Sequence, residues 1–228
     1  MKILDLFCCQ GGAGMGYHRE GFEVTGVDIK PQPRYPFRFV QGDALEYLRD
    51  YGHEFDAIHA SPPCQAHTAL KTMWNAKQHV DLIPETRDLL MKTGKPWIIE
   101  NVPGAATLRP TLMLCGTMFG LGAEDGEIVA ELRRHRFFEC SFGILGPSCS
   151  HGGDVIGVYG GHGRNRKRAT IGVYGGGHGV SLHRREKGEK SFTAEHQRQA
   201  MGMDWASVDG LSQAIPPAYT EFIGRELM

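Results

Sequence analysis

The first hundred residues alternate short apolar runs with helix-forming stretches, and each apolar run gives way to a polar residue or a glycine turn. Lys2 to Phe7 (KILDLF) reads as a buried strand, after which Gly11, Gly12 and Gly14 turn the chain into a short helix ending near Glu20 and Gly21. Glu23 to Asp28 makes a second strand that ends on an acid, and Phe37 to Val40 a weaker third. Asp43 to Tyr51 has helical character, Phe55 to His59 is a fourth strand, Asp81 to Lys92 a helix capped by Gly94, and Pro96 to Glu100 a fifth strand. Parallel strands need a crossover between them, commonly a helix, so this order predicts an α/β chain with a mostly parallel sheet. Sheets of that kind take ligands beyond the carboxyl ends of their strands, which is where the polar residues of this chain collect.

The pattern changes from about Arg133. Arg134 to Cys140 is predicted as a strand outside the βαβ series. Beyond Cys149 the chain is rich in glycine and echoes itself once, Ile156-Gly157-Val158-Tyr159-Gly160-Gly161 returning as Ile171-Gly172-Val173-Tyr174-Gly175-Gly176. Two copies are too few for a repeat fold, so a pair of short hairpin strands around the turn from Arg164 to Arg168 is expected. Between His151 and Lys190 eight basic residues stand against three acidic ones, although the whole chain has a formal net charge of −1. Such a segment is either a solvated loop face or a surface for phosphates. Helical character returns at Thr193 to Met201 with Thr193 as N-cap, and Pro216-Pro217 opens a last helix to Leu227. The expected organisation is a main α/β unit over 1–140, a reduced Gly-rich basic insertion over 141–190, and a segment 191–228 that returns to the main unit.

At 228 residues the chain is long enough for one good core and a small appendage. No run of 18 apolar residues occurs, and the apolar start turns quickly into glycine-rich sequence, so a cytoplasmic protein without membrane association is expected. Its six cysteines are scattered through an α/β pattern, which suits reduced thiols rather than a disulfide framework.

Pro62 and Pro63 fix φ and remove two backbone donors, so Ser61-Pro62-Pro63-Cys64 must be a stiff loop leaving the fourth strand. Taken alone, a cysteine such as Cys64 is more often a small buried hydrophobe than a nucleophile. The glycine turn after the first strand lets backbone approach a ligand closely, yet it matches neither the dinucleotide fingerprint nor a P-loop. Asp28, at the end of the second strand, is placed to accept hydrogen bonds from ribose hydroxyls, and Asp43 could bind an adenine amino group. Either acid could instead cap a turn. Together they suggest a nucleoside-type cofactor without a polyphosphate.

The ordered series DLFCCQGGAGMG, VTGVDI, QGDAL, SPPCQ, IIENV, RRHRF, FTAEHQRQAMG and QAIPPAYTEFIG resembles the DNA (cytosine-5)-methyltransferase family from end to end, in a short form with a reduced target-recognition region. The resemblance implies a Rossmann-like S-adenosylmethionine-dependent methyltransferase sheet of seven mostly parallel strands. S-adenosylmethionine would be the cofactor, held by Phe7, Gly11, Gly12, Asp28, Ile29, Asp43, Ala44 and Pro62. Cys64 would be the nucleophile that adds to carbon 6 of a flipped-out cytosine, and Glu100 the acid at ring nitrogen N3, with Asn101-Val102 behind it. Arg134 and Arg136 would hold the base and its phosphate; their bland alternative is an ion-paired strand edge. Gln65, Arg164, Arg166, Lys167, Arg168 and Thr193 would face double-stranded DNA. An enzyme of this kind is expected to work as a monomer in a bacterial or phage setting, alongside a restriction nuclease where one accompanies it.

The chain departs from the family pattern in three places. Cys9 stands where a glycine is usual, His67-Thr68 replaces the usual Phe-Ser, and Ser212-Gln213 replaces Gly-Asn. A residue needing φ > 0 at position 9 would strain a cysteine there. Cys149-Ser150-His151, with Cys140 upstream and His162, His178 and His183 downstream, matches no standard zinc spacing, so no metal site is expected. Two other functions are compatible with the same motifs: a tRNA cytosine-5 methyltransferase, which uses a similar Pro-Cys-Gln and Glu-Asn-Val, and a DNA-binding accessory protein in which Cys64 is inert.

Overall fold

The computed structural model describes residues 1–63, 80–125, 128–152, 154–157 and 193–228. Cys64, Gln65, His67, Thr68, Arg164, Arg166, Lys167, Arg168, His162, His178, His183 and the echo beyond Gly157 lie outside the described residues.

The predicted alternation is present. β1 (Lys2–Leu6), β2 (Glu23–Asp28), β3 (Arg38–Gln41), β4 (Ala57–Ala60) and β5 (Trp97–Asn101) run parallel, joined through α1 (Gly12–Arg19), α2 (Ala44–Tyr51) and α3 (Ile83–Thr93). β6 (Leu112–Leu114) and β9 (Arg136–Cys140) complete a seven-stranded sheet of order β3-β2-β1-β4-β5-β9-β6, in which β9 is antiparallel to both neighbours. The order reverses between β1 and β4. The carboxyl ends of those two strands therefore flank the crevice where such sheets bind ligands.

Both faces of the sheet are covered, which is why its strands are apolar at successive positions rather than alternating with polar ones. Ile3, Val24, Ala57, Ile98 and Phe138 pack under α1 and the last helix, α6 (Pro217–Leu227), with Tyr17, Tyr219 and Ile223. Leu4, Leu6, Val27, Ile58 and Ile99 face α2 and α3, meeting Leu48, Ile83 and Leu90. The closeness of α6 to α1 is set by glycine: a Cβ on Gly16 would fall 2.1 Å from the Pro217 carbonyl oxygen and from Thr220 Oγ1. Arg87 and Glu139 form a buried two-pronged ion pair at 2.5 and 2.6 Å, which fastens α3 to β9.

A second, three-stranded sheet holds β7 (Gly122–Asp125), β8 (Ile128–Arg133) and β10 (Asp154–Gly157) in the order β10-β8-β7. It packs through Ala123, Ala130 and Leu132 against α4 (Ala194–Met201) and α5 (Val208–Gln213). Its strands come from both sides of position 140, and β7 and β8 had no counterpart in the sequence reading.

One local expectation is corrected. The strand expected from Arg134 begins at Arg136, because Arg134 is drawn out of line: its Nη2 donates to the carbonyls of Ser212 and Ala214, at 2.9 and 2.6 Å, and its own carbonyl accepts from Tyr219 Oη. Asp154–Gly157 lies parallel to β8, with Ile156 opposite Leu132, while the expected partner in the echo lies outside the described residues. No helix among the described residues is long and apolar enough to cross a membrane.

Candidate active site

The carboxyl edge of the sheet carries the exits of its five parallel strands. After β1 the chain makes an unusual turn: Phe7, Cys9 and Gly11 all have positive φ, at 58°, 47° and 81°. Glycine tolerates that region, whereas the other two residues are strained in it, as the departure at Cys9 led one to expect. The turn is held from outside. Asp28 Oδ2 accepts the Cys9 N–H at 3.0 Å and Oδ1 the Lys30 N–H at 2.9 Å. Gln10 bonds Ser207 from both ends of its amide, and its carbonyl accepts from Trp205 Nε1 at 2.8 Å. Gly12 is required by packing, since a Cβ there would sit 2.3 Å from the Ile215 carbonyl oxygen.

The two acids thus bond the backbone, in line with the turn-capping alternative, and neither loses its remaining acceptor sites. Asp43 is the N-cap of α2, its Oδ1 taking the N–H groups of Leu45 and Glu46 at 2.8 and 3.0 Å. Ala44 is buried behind it, while Ile29, beside Asp28, is 64% exposed. An acid followed by an exposed aliphatic side chain at a strand exit suits a ribose and an adjoining flat base. Thr193 caps α4, its N–H donating to His196 Nδ1 at 3.0 Å.

At the exit of β4, Asn101 Nδ2 donates to the Pro62 carbonyl at 2.9 Å, and Asn101 Oδ1 accepts the Val102 N–H. The proline loop is thereby fastened to the end of β5. One residue earlier on β5 stands Glu100, buried and paired with Arg136, whose Nε lies 3.1 Å from Glu100 Oε1. Strand register explains the meeting. Glu100 pairs with Phe138 in the antiparallel β5–β9 ladder, and Arg136, two residues before Phe138, lies on the same face. Burial raises the pKa of Glu100, opposed by the charges of Arg136 and Arg134 and by a hydrogen bond from Ser61.

Sequence reasoning missed what stands behind Ser61. His59 is fully buried in β4, its Nδ1 2.9 Å from Tyr17 Oη and its Nε2 3.0 Å from Ser61 Oγ. Burial pushes the His59 pKa down to about 3, so the ring is neutral. Tyr17, His59, Ser61 and Glu100 are thereby linked in one run of hydrogen bonds, with one ring nitrogen donating and the other accepting. Asp5 was missed too. It is buried in β1 with Tyr35 Oη donating to it at 3.1 Å, and burial lifts its pKa to about 8. Polar residues inside the otherwise apolar runs KILDL and AIHA were the available signal.

The described thiols near this edge are poor nucleophiles. Burial raises the pKa of Cys8, and lifts that of Cys9 to about 11. Further along the same edge, past β9, Cys115, His135, Cys149 and His151 converge, their ligand atoms all within 4.8 Å of one another.

No protein-family model matches the chain, and no curated protein matches it in sequence. Solved structures do match its fold. One, assigned as a DNA modification methyltransferase encoded within a prophage of E. coli, aligns over 100% of this chain and 98% of its own at 16% identity, with a TM-score of 0.57. The S. pombe Dnmt2 methyltransferase aligns over the same shares at 10% identity, with a TM-score of 0.58. The described residues have the fold of these methyltransferases.

Proposed function

We propose that the chain is a DNA (cytosine-5)-methyltransferase using S-adenosylmethionine. The observation that carries this reading is the buried Glu100 carboxyl, raised in pKa and faced by Arg136, one residue from the Asn101 that holds the Pro62 carbonyl. Cys64 follows Pro62 by two residues, a reach of at most about 7 Å. A thiol, a carboxyl whose pKa burial raises and a guanidinium are the groups that addition to a cytosine ring needs.

The Cys64 thiolate would add to carbon 6, forming the S–C6 bond while the C5–C6 π electrons move onto the ring. Glu100 would give its proton to N3 as density gathers there, and Arg136 would hold the base beside it. The adduct leaves carbon 5 nucleophilic. S-adenosylmethionine, when bound, supplies an electrophilic methyl group. The residues present suit it: Asp28 for the ribose, Ile29 for the adenine face, and the Phe7 to Gly12 turn for the remainder. The base must leave its helix to be reached at all.

The name of the prophage relative, a DNA modification enzyme, favours DNA, and so does the basic segment with Arg164, Arg166, Lys167 and Arg168. The test is covalent capture on duplex DNA carrying 5-fluorocytosine, with tRNA carrying the same base in parallel. A denaturation-resistant complex with DNA, lost in Cys64→Ser, is the expected result. Capture on tRNA alone would move the chain to the RNA branch, and capture on neither would leave an accessory binding protein.

A further inference from the structure

We propose that Cys115, His135, Cys149 and His151 hold one structural zinc ion. Two sulfurs and two imidazole nitrogens within 4.8 Å of one another make a Cys2His2 set, the donors that zinc takes in closed tetrahedral sites. With Zn–S near 2.3 Å and Zn–N near 2.0–2.1 Å, the edges of such a tetrahedron measure about 3.3–3.8 Å. Cys115 Sγ lies 3.5 Å from His151 Nε2, and Cys149 Sγ lies 3.6 Å from His135 Nε2. The remaining measured edge, Cys149 Sγ to His151 Nε2, is 2.7 Å. It has to widen by about 0.9 Å to admit the ion, and both residues sit on a stretch without helix or strand that can give. Thr117 Oγ1 stands 3.4 Å from one sulfur and 3.5 Å from the other, placed to donate to a metal-bound thiolate.

The placement gives the ion a task. Cys115 directly follows β6, His135 lies in the two-residue connection between β8 and β9, and Cys149 and His151 lie on the stretch between β9 and β10. From Ser141 to Gly152 that stretch has no regular structure of its own. An ion at this point ties it to the main sheet just before the chain enters the small sheet. His135 is flanked by Arg134 and Arg136, so the same ion fixes where β9 begins. Binding zinc releases the two thiol protons, and the four protein ligands leave no position for water, which makes the site structural rather than catalytic.

Cys140, the cysteine nearest to Cys149 in sequence, is buried in β9 and is not one of the four. The set that converges takes two of its ligands from 14 and 34 residues before Cys149 (149 − 135 and 149 − 115), a separation no finger pattern contains.

The full chain, purified without chelator and under reducing conditions, is expected to carry about one zinc per molecule by elemental mass spectrometry. Apo-protein given Co(II) should develop the intense ligand-field bands of a tetrahedral thiolate site. His151→Ala and Cys149→Ser should each lose zinc to a competing chelator by more than the roughly 10–100-fold typical of an outer-shell change. Cys140→Ala should keep it. His151 is exposed, so its variant tests binding without emptying the core. The proposal is overturned by a chain that takes up no zinc when supplied, by another metal at stoichiometry, by a Cys115–Cys149 disulfide in the reduced preparation, or by unchanged zinc affinity in both ligand variants. None of these readouts depends on the methyl-transfer reading.

Discussion

Arg136 Nε stands 3.1 Å from Glu100 Oε1, an ion pair formed where the parallel part of the sheet meets its one antiparallel neighbour. The antiparallel strand begins where β5 ends, and this reversal brings a residue 36 positions away in sequence (136 − 100) beside the carboxyl. Glu100→Gln keeps the shape and loses the transferable proton. Methyl transfer to DNA, followed with labelled cofactor, is expected to fall on the order of 100-fold. An unchanged rate would remove Glu100 from the chemistry.

Ser61→Ala tests the hydrogen-bond chain behind the carboxyl. The Ser61 bond lowers the pKa of Glu100, so its loss should raise that pKa further. A step that needs protonated Glu100 fails as pH rises through this value. The alkaline limb of the rate profile should therefore move to higher pH in the variant. A limb that stays in place, or moves down, contradicts the assignment.

Asp5 and His59 set opposite arms of the stability profile. Asp5, lifted to about 8 from an unfolded value near 3.8, binds more protons when folded, so its contribution is lost as pH rises through 8. His59, lowered to about 3 from 6.5, binds more protons when unfolded, so its contribution is lost as pH falls below 6.5. The two slopes cancel between about 4 and 6.5, and Asp5 acts alone from there to about 8. Over that upper step the wild type should lose on the order of 2 kcal/mol. Calorimetry of Asp5→Asn, which keeps an acceptor for Tyr35, should show the step flattened; an identical slope would sink the explanation.

Cys9→Gly should stabilise the chain. Cys9 at φ 47° carries strain of about 1–2 kcal/mol that glycine does not, partly offset by the greater freedom of glycine when unfolded. A net gain of about 1 kcal/mol corresponds to a rise of about 2–4 °C in Tm for a chain of this size. A lower Tm would mean that the Cys9 side chain contributes more than its backbone costs.

Gly16→Ala should have the reverse effect. Its Cβ would lie 2.1 Å from the backbone oxygen of Pro217, which cannot yield without moving α6. A loss of about 3 kcal/mol or more in denaturant unfolding is expected, at the upper end for overpacking. A loss under about 1 kcal/mol would mean that α6 shifts freely on α1.

The alternation of apolar runs with helices determined the parallel sheet, because a strand buried on both faces and followed by a crossover helix has no other stable arrangement. Local chemistry also placed Thr193 as a cap, the Gly94 stop and the Pro217 start, since each depends on backbone groups within a few residues. Motif order brought Glu100 and Arg136 into one hypothesis without a distance between them. Three things waited for the tertiary structure, and all depend on contacts between distant segments. Arg134 and Arg136 read as a matched pair, yet one side chain reaches back to Ser212 and Ala214 while the other meets Glu100. His59 looked like an apolar strand residue with an odd ring, and its role in linking Tyr17 to Ser61 needed α1 packed over β4. Cys115, His135, Cys149 and His151 share no sequence spacing, and only the ends of β6 and β8 meeting the stretch after β9 put their donor atoms within a metal's reach. Periodicity records which face of an element is buried; it carries no information about which distant side chain will be found there.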